Sequence, residues 1–537
     1  MCRFLLALLP VFLMAGCTVG PDFRRPGAEL PTDWPSAAEL DEQELLPQGV
    51  VASSDQNELA TWWQVFDDET LNTLIAEATS QSIDLRQASL RILESRAQRG
   101  TVRSDKLPSF EYDASFRHQK TSTSGGFFGQ INSGGGPGLS IDTTNDQWSM
   151  GIDGSWEVDV FGRIERLIEA ADGDLEASVW DYRDINIILL GDIASNYIDV
   201  RAFQKRIQIA ERNLVAQRRS LEISSKRFDA GLTNELDVAQ ARANALTTEA
   251  EIPNLRVGYR QAVNRLSVLM GRPPGYVDNL LEETSPIPKP ERQIAIGIPA
   301  DLLRRRPDIR RAEWQLAAQN ARVGAAIAEL YPQFSIAGSF GADAQQASHW
   351  FTPASLGANI GPAMRWNVLN FGKLRNNVQL QHFRNGQNLA AYESTVLRAA
   401  EEVDNALMSY TREQQRLGIL QDAVAASDRA VELARKQYTQ GTATFQRVLD
   451  SQRSLLQTED QVALSQANAS KDIVALYRAL GGGWVLPLDE IVGEEGKVGD
   501  VFGGDILVDE GELLEQDLFF EEIELLELGE ESPNPPE

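Results

Sequence analysis

The sequence contains two long copies of one pattern, and this duplication constrains the fold more than any other feature. The stretch WEVDVFGR at 156–163 matches WNVLNFGK at 366–373, an offset of 210 residues. The same offset pairs Phe228 with Tyr438, Gly231 with Gly441, Val238 with Val448 and Gly271 with Gly481. Two copies of this size indicate internal duplication rather than a solenoid of short repeats. We therefore expect the two halves of the chain to fold alike.

Each copy contains a long stretch without proline that is predicted to be helical. These stretches lie at 163–229 and 373–438, and shorter helices are predicted to return at 234–271 and 444–480. Apolar residues recur every seven positions: Ile207, Leu214, Leu221 and Phe228, then Leu417, Val424, Val431 and Tyr438. A seven-residue repeat is typical of a coiled coil, and a helix of about 66 residues is about 100 Å long. Each copy is therefore predicted to end in a long helical hairpin.

Four segments with alternating polar and apolar residues precede the hairpins. They lie at 110–117, 147–158, 334–340 and 360–368, and further helices are predicted at 70–106 and 308–330. An alternation of polar and apolar residues with Trp and Phe on the apolar side is typical of barrel strands that face lipid. The alternative is the half-buried sheet of a soluble sandwich. Because four strands cannot close a barrel and open edges are not tolerated in lipid, a membrane-spanning chain must oligomerise. Three copies would supply about twelve strands.

The N-terminus resembles that of an exported lipoprotein. A basic residue and an apolar run at 3–15 are typical of a secretory signal, and the run is too short for a membrane-spanning helix. The residues LMAGC at 13–17 resemble a bacterial lipobox, although Met14 stands where Leu is most usual. We expect cleavage after residue 16 and lipid attachment to Cys17; the alternative is an ordinary signal and a free thiol. Because Cys2 is lost with the signal, no intramolecular disulfide is possible.

The charge of the chain is concentrated at its C-terminus. Residues 485–537 contain 18 acidic residues and one lysine, so they carry −17 of the net charge of −28. This balance argues against nucleic-acid binding, which needs a basic face. The segment is interpreted either as a solvating tail or as an amphipathic acidic segment that docks on a basic surface. The three histidines, His118, His349 and His382, are scattered, and no nucleophile or metal motif accompanies them, which argues against an enzyme.

Five motifs carry a resemblance to a known family. The stretches CTVGPDFRRP, WWQVFDD, LLRRRPDIRRAE, VLDSQRSLL and YRALGGGW are similar to those of the TolC-like outer-membrane efflux family, specifically its OprM/NodT-type lipoproteins, over about residues 17–484. The resemblance implies a mainly α fold with a membrane β-barrel part. In that fold, the four strands of each duplicated protomer contribute to a trimeric 12-stranded β-barrel, which stands on an α-helical barrel of long coiled-coil helices.

The resemblance and the sequence pattern together divide the chain into eight segments. They are a signal peptide (1–16), a lipidated N-terminus with an equatorial helical segment (17–105), strands 1–2 (106–160), the first hairpin (161–271), an equatorial linker and helix (272–330), strands 3–4 (331–370), the second hairpin (371–484) and the acidic tail (485–537).

The resemblance also implies a function without catalysis. The homotrimer would be the outer-membrane exit duct of a tripartite efflux pump for small molecules such as drugs and toxic compounds. Its implied partners are a periplasmic adaptor (membrane-fusion protein), an inner-membrane transporter of RND class, and outer-membrane lipid. No cofactor is implied beyond the covalent N-terminal lipid. The alternatives are a duct for type I protein secretion and a trimeric coiled-coil surface scaffold.

The family pattern places functional residues at the far end of the hairpins. A periplasmic gate maps to Asp450 and Arg453, with Gln446 at the family's apolar constriction and Phe445 beside it. Arg453 lies one turn from Asp450 and is expected to pair with it. The adaptor contacts are expected at the two hairpin tips: Gly231, Leu232, Thr233, Gly441, Thr442 and Ala443.

Overall fold

The computed structural model describes residues 18–27, 36, 59–120, 144–290 and 300–484. The signal peptide, Cys17 and the acidic tail therefore lie outside the described residues. The helices are α1 (Glu69–Gln81), α2 (Ile83–Ser104), α3 (Arg163–Asp229), α4 (Glu235–Leu269), α5 (Asp278–Leu281), α6 (Pro307–Ala328), α7 (Lys373–Thr439) and α8 (Phe445–Ala479). Within this part of the chain, none of the helices is long and apolar enough to span a membrane.

The duplicated pattern folds into two helical hairpins whose limits keep the offset of 210 residues. The long helices α3 and α7 each contain 67 residues, and the return helices α4 and α8 each contain 35. Gly162 and Gly372 precede the long helices with φ angles of 74° and 88°, a left-handed conformation that glycine adopts without a steric penalty from Cβ. The two predicted hairpins are confirmed.

The four predicted strands form one antiparallel sheet in the order β1-β2-β3-β4. They are β1 (Ser109–Lys120), β2 (Thr144–Val158), β3 (Gln333–Ala344) and β4 (Leu356–Arg365). The register pairs Tyr112 with Ile152 and Ile152 with Phe340, so the apolar side chains share one face. The predicted end of the fourth strand is wrong. β4 stops at Arg365, and Trp366 instead donates its indole N–H to the carbonyl of Leu330 at 3.1 Å.

One predicted helix is divided in the structure. The segment expected as a single helix at 70–106 forms α1 and α2, which separate at Ser82, where ψ is 130°. Gly271 packs against this break. A Cβ on Gly271 would lie 2.6 Å from the carbonyl oxygen of Gln81, so the close approach requires glycine at this position. The helix expected at 308–330 forms as α6.

The helices pack around α3, which contacts α1, α2, α4, α6 and α8, whereas α7 packs mainly against α8 and α6. Two apolar clusters hold the hairpins together along their length. The first joins α3 to α4 through Ala210, Leu214, Ala245, Ile252 and Leu255. The second joins both hairpins near their tips through Ala241, Ala434, Tyr438, Phe445, Val448 and Leu449. The seven-residue apolar repeat of the sequence therefore contributes to the seams between these helices.

Candidate functional site

The tips of the two hairpins have the same local geometry. Gly231 and Gly441 have φ angles of 69° and 77°, as is usual where a helix ends in the left-handed region. The next residues close the turns, because Leu232 N–H donates to the Arg227 carbonyl at 2.8 Å and Thr442 N–H to the Gln437 carbonyl at 3.0 Å. No heavy atom outside the adjacent residues lies within 4 Å of a Cβ built on Gly231. The turn is thus open for contact with another molecule.

The structure brings the two tips together through residues that the sequence analysis missed. Arg227 Nη1 donates to the Thr439 carbonyl at 3.0 Å, and its guanidinium carbon lies 4.8 Å from the centre of the Tyr438 ring. Tyr438 in turn donates to Asp237 at 3.4 Å. A tyrosine hydroxyl is protonated at neutral pH, and burial raises the pKa of Tyr438 further. One sign of this contact was present in the sequence. The first copy of the pattern has Phe228 at the position that Tyr438 occupies in the second copy.

Within one protomer, the residues of the predicted gate have separate contacts. Asp450 accepts a hydrogen bond from Gln446 Nε2 at 2.8 Å, and both side chains are exposed on α8. The expected pair of Asp450 with Arg453 is wrong, because Arg453 Nε donates to Asn244 of α4 at 3.1 Å. Phe445 is 1% exposed and packs 5.1 Å from the Tyr438 ring. Its place is in the core between the hairpins.

The apolar face of the sheet carries aromatic side chains at both ends. At the end far from the helices, Trp148 packs 4.4 Å from Phe116 and 5.3 Å from Trp350. At the end near the helices, Trp156 donates its indole N–H to the Lys106 carbonyl at 2.8 Å. Trp148 and Trp156 are eight residues apart on β2, which at about 3.3 Å per residue is about 26 Å. Because barrel strands tilt by about 35–45°, this is about 20 Å along the membrane normal, which is close to the height of about 25 Å of an apolar band between two aromatic girdles.

The segment that follows Cys17 is fixed at the junction of sheet and helices. Val19 N–H donates to the Phe161 carbonyl at 3.2 Å. Arg166 of α3 donates to the Val19 carbonyl at 3.2 Å and to Asp22 at 2.8 Å. A Cβ on Gly162 would lie 2.8 Å from the Cα of Thr18. Residue 18 is therefore held close to the end of β2 that carries Trp156.

Comparison with known proteins places these features in a family. The model of the outer membrane efflux protein family matches residues 74–272 and 298–482. The chain belongs to this family. Its relatives include nodulation protein T of Rhizobium leguminosarum bv. trifolii, which is 29% identical over 488 residues, covering 90% of this chain and 98% of that protein. The solvent efflux pump outer membrane protein SrpC of Pseudomonas putida is 29% identical over 484 residues, covering 89% and 98%.

Solved structures agree with this assignment. The structure of the outer-membrane channel OprN is 34% identical in sequence to this chain and matches its fold with a TM-score of 0.77. The match covers 87% of this chain and 100% of the OprN chain. The structure of CusC gives 26% identity and a TM-score of 0.72, covering 87% and 100%. The chain is therefore an outer-membrane protein of an efflux-channel family, with a mainly helical fold and a small antiparallel sheet.

Proposed function

We propose that three copies of this chain form the outer-membrane exit duct of a tripartite efflux pump. The observation that carries the proposal is the sheet, in which β1 and β4 are the outer strands and each pairs with one neighbour among the described residues. Strand edges must be paired in lipid, and three four-stranded sheets supply the twelve strands of a closed barrel. The relatives SrpC and CusC are named for solvent and cation efflux, which supports small molecules as the cargo.

The proposed duct is fed from the periplasm by an adaptor and an inner-membrane transporter of RND class. The adaptor would bind the hairpin tips, where Leu232 is 65% exposed. Replacing Gly231 or Gly441 by Glu should abolish pump assembly and leave the trimer intact. The assay is co-purification of the adaptor together with drug tolerance. Normal tolerance in both variants would contradict the proposed contact, while loss of the trimer would mean that the glycines serve only the turns.

The proposed gate depends on Asp450, which three copies would bring around one axis. Like charges that converge in this way repel one another unless they are paired, hydrated or bound to a cation. Among the described residues of the protomer, Asp450 has only the hydrogen bond from Gln446, so a cation or water would stabilise the proposed ring. We expect Asp450→Ala to increase the ion conductance of the closed channel in a planar lipid bilayer. Asp428→Ala, at an exposed position of α7, is the control. Equal conductance in both variants would remove Asp450 from the gate.

The proposed lipid anchor is supported by the position of Thr18. This residue lies against Gly162 at the junction of sheet and helices, so a lipid on the preceding cysteine would lie near the aromatic girdle that contains Trp156. Mass spectrometry of the intact chain tests this directly. A triacylated Cys17 is the expected N-terminus, and an unmodified cysteine or a different N-terminus would contradict the anchor.

A further inference from the structure

The apolar face of the sheet contains a groove of about 570 Å³ in the half nearer the helices. Its floor is formed by Gly154 and Gly338, which pair with each other across β2 and β3. In the same row of the sheet, Gly154 pairs with Phe110 of β1 and Gly338 pairs with Ile360 of β4. This row therefore has a large apolar side chain at each end and only glycine in the middle.

Large apolar side chains also close the groove along the strands. Ile152 and Phe340 form the next row on one side, and Trp156 and Ile336 form the next row on the other. Ile360 is 82% exposed, so the groove is open to the surroundings of the sheet. A gap in an apolar wall forfeits van der Waals contacts unless another group fills it. The shape and the apolar walls of the groove fit a hydrocarbon chain.

The groove lies next to the place where the N-terminal segment is held. Trp156 lines the groove and also lines a second pocket, to which Thr18 contributes. The hydrogen bond from its indole N–H to the Lys106 carbonyl, at 2.8 Å, fixes the ring between the two. Because adjacent Cα atoms are about 3.8 Å apart, the residue before Thr18 is tethered at this end of the groove. That residue is Cys17.

The length of the groove suits an acyl chain that starts at this end. Trp156 and Ile152 are four residues apart on β2, which is about 13 Å. An acyl chain spans one leaflet, or about half of a hydrocarbon core that is about 30 Å thick. Such a chain reaches from Trp156 to the row of Phe340, but it does not reach the row of Trp148 at the far end of the sheet.

We propose that one acyl chain of the lipid on Cys17 lies in this groove, over Gly338. The inference rests on the proposed lipid anchor and adds the place at which the anchor is held. The chain would pass Trp156 and pack against Phe340 and Ile360. The anchor would then be a fixed part of the barrel wall, and not a tether that moves freely in the bilayer.

Photo-cross-linking in outer membranes tests this placement. A benzoylphenylalanine, which inserts into nearby C–H bonds on irradiation, replaces Phe340 in the groove or, as the control, Tyr112. Both positions are exposed and both pair with Ile152 in one row, but Tyr112 lies outside the groove, two strands or about 10 Å from Phe340. We expect position 340 to be joined mainly to the lipidated peptide that begins at Cys17, and position 112 only rarely. Mass spectrometry of the digested chain identifies the products.

A side chain on the floor of the groove provides a second test. A Cβ on Gly338 would lie 3.0 Å from the Asn359 carbonyl oxygen and 3.4 Å from Ile360 Cγ1, so Gly338→Leu needs only a small shift of its neighbours. This variant should lose the cross-link between position 340 and the N-terminal peptide. Ala114→Leu adds the same side chain to the same face of the sheet, outside the groove, and should keep the cross-link. A native gel checks that each variant retains the trimer.

The outcomes separate this inference from the proposed anchor and duct. Equal yields of the N-terminal product from positions 340 and 112 would overturn the inference, and so would a cross-link that Gly338→Leu leaves unchanged. Cross-links from position 340 to phospholipid alone, with a lipidated Cys17 in the same digest, would assign the groove to a bilayer lipid and overturn it as well. An unmodified Cys17 would contradict the anchor itself.

Discussion

The two long helices α3 and α7 are equal in length and occupy equivalent positions in the duplicated pattern, but their surroundings differ. Within the protomer, α3 has 29 buried residues and α7 has ten. Large apolar side chains remain exposed along α7, with Phe383 at 72% and Leu397 at 66%. Their counterparts on α3 are Gly173 and Ile187, both of which are buried. One copy of the pattern is thus enclosed by its own chain, while the other leaves an apolar face without cover.

This difference suggests how duplication serves assembly. A contiguous apolar surface on a soluble part of a protein marks an interaction site. Since α7 packs mainly against α8 and α6, its remaining face is available to a second copy. We interpret α3 as the helix that holds the protomer together and α7 as the helix that joins protomers. The following predictions test that division.

The largest effect is expected for a charge at the equivalent positions Ile187 and Leu397. Ile187 is 4% exposed, so Ile187→Asp loses apolar burial and buries a carboxylate. It should destabilise the protomer by more than about 4 kcal/mol and abolish folded protein. Leu397→Asp should keep the helical circular dichroism spectrum and lose the trimer on a native gel. Similar behaviour of the two variants would contradict the proposed difference between α3 and α7.

A second pair of substitutions, at the equivalent positions Gly173 and Phe383, changes the size of the side chain instead of its charge. A Cβ on Gly173 would lie 3.0 Å from the Cβ of Ala318 and 3.1 Å from its backbone. Gly173→Phe installs the residue of the second copy and should cost about 3 kcal/mol, because the obstructing atoms are mostly backbone. Phe383→Ala should leave the protomer intact and weaken the trimer. Thermal melts of both variants and their trimer fractions at falling protein concentration measure these effects. An unchanged trimer in Phe383→Ala would place the interface elsewhere.

The contact between the tips should have a smaller effect. Arg227 corresponds to Gln437 in the second copy, so Arg227→Gln makes the two tips more alike. The variant loses the guanidinium contact with the Tyr438 ring and the bond to the Thr439 carbonyl, together worth about 1–2 kcal/mol. We expect a higher open probability in single-channel recordings with unchanged trimer stability. Arg435→Gln, also near the end of a long helix, is the control. Identical recordings would show that this contact does not hold the tips.

The smallest effect concerns pH. Burial, and then repulsion from Glu413, raises the pKa of Asp472 in α8 to about 6. The equivalent residue of the first copy is Ala262. Because the folded state holds this proton more tightly than the unfolded state, stability should fall as the pH rises from about 4 to 6. Asp472→Asn should flatten this part of a plot of thermal midpoint against pH. A plot unchanged by the substitution would assign the pH dependence to other groups.

The sequence predicted the helices well because their signals are local. Length without proline, a seven-residue apolar repeat and glycine at the turns fix α3, α4, α7 and α8 to within two residues. The break at Ser82 was not predicted; it lies where Gly271 packs against Gln81, a contact between distant residues that carries no local signal. The end of β4 was misplaced because Trp366 and the apolar residues after it continue the alternation without pairing.

The candidate site was harder to predict than the fold. Asp450 bonds Gln446 four residues away on α8, so spacing allowed two neighbours and could not decide between them. The partner of Arg453 is Asn244, which depends on where α4 lies relative to α8, and helical spacing alone gives no such information. The same holds for Arg227, whose contacts lie about 210 residues away in the sequence. Tertiary packing therefore determines with which of several neighbours each polar side chain forms a contact.

Native mass spectrometry of the protein extracted from outer membranes tests the central claim most directly. One spectrum reports both the number of chains and the mass attached to Cys17. The proposal that α7 joins protomers and that three sheets close one barrel predicts a trimer, with each chain beginning at a triacylated cysteine. An unlipidated monomer would contradict it, because four strands cannot close alone and the exposed face of α7 would then have no partner copy.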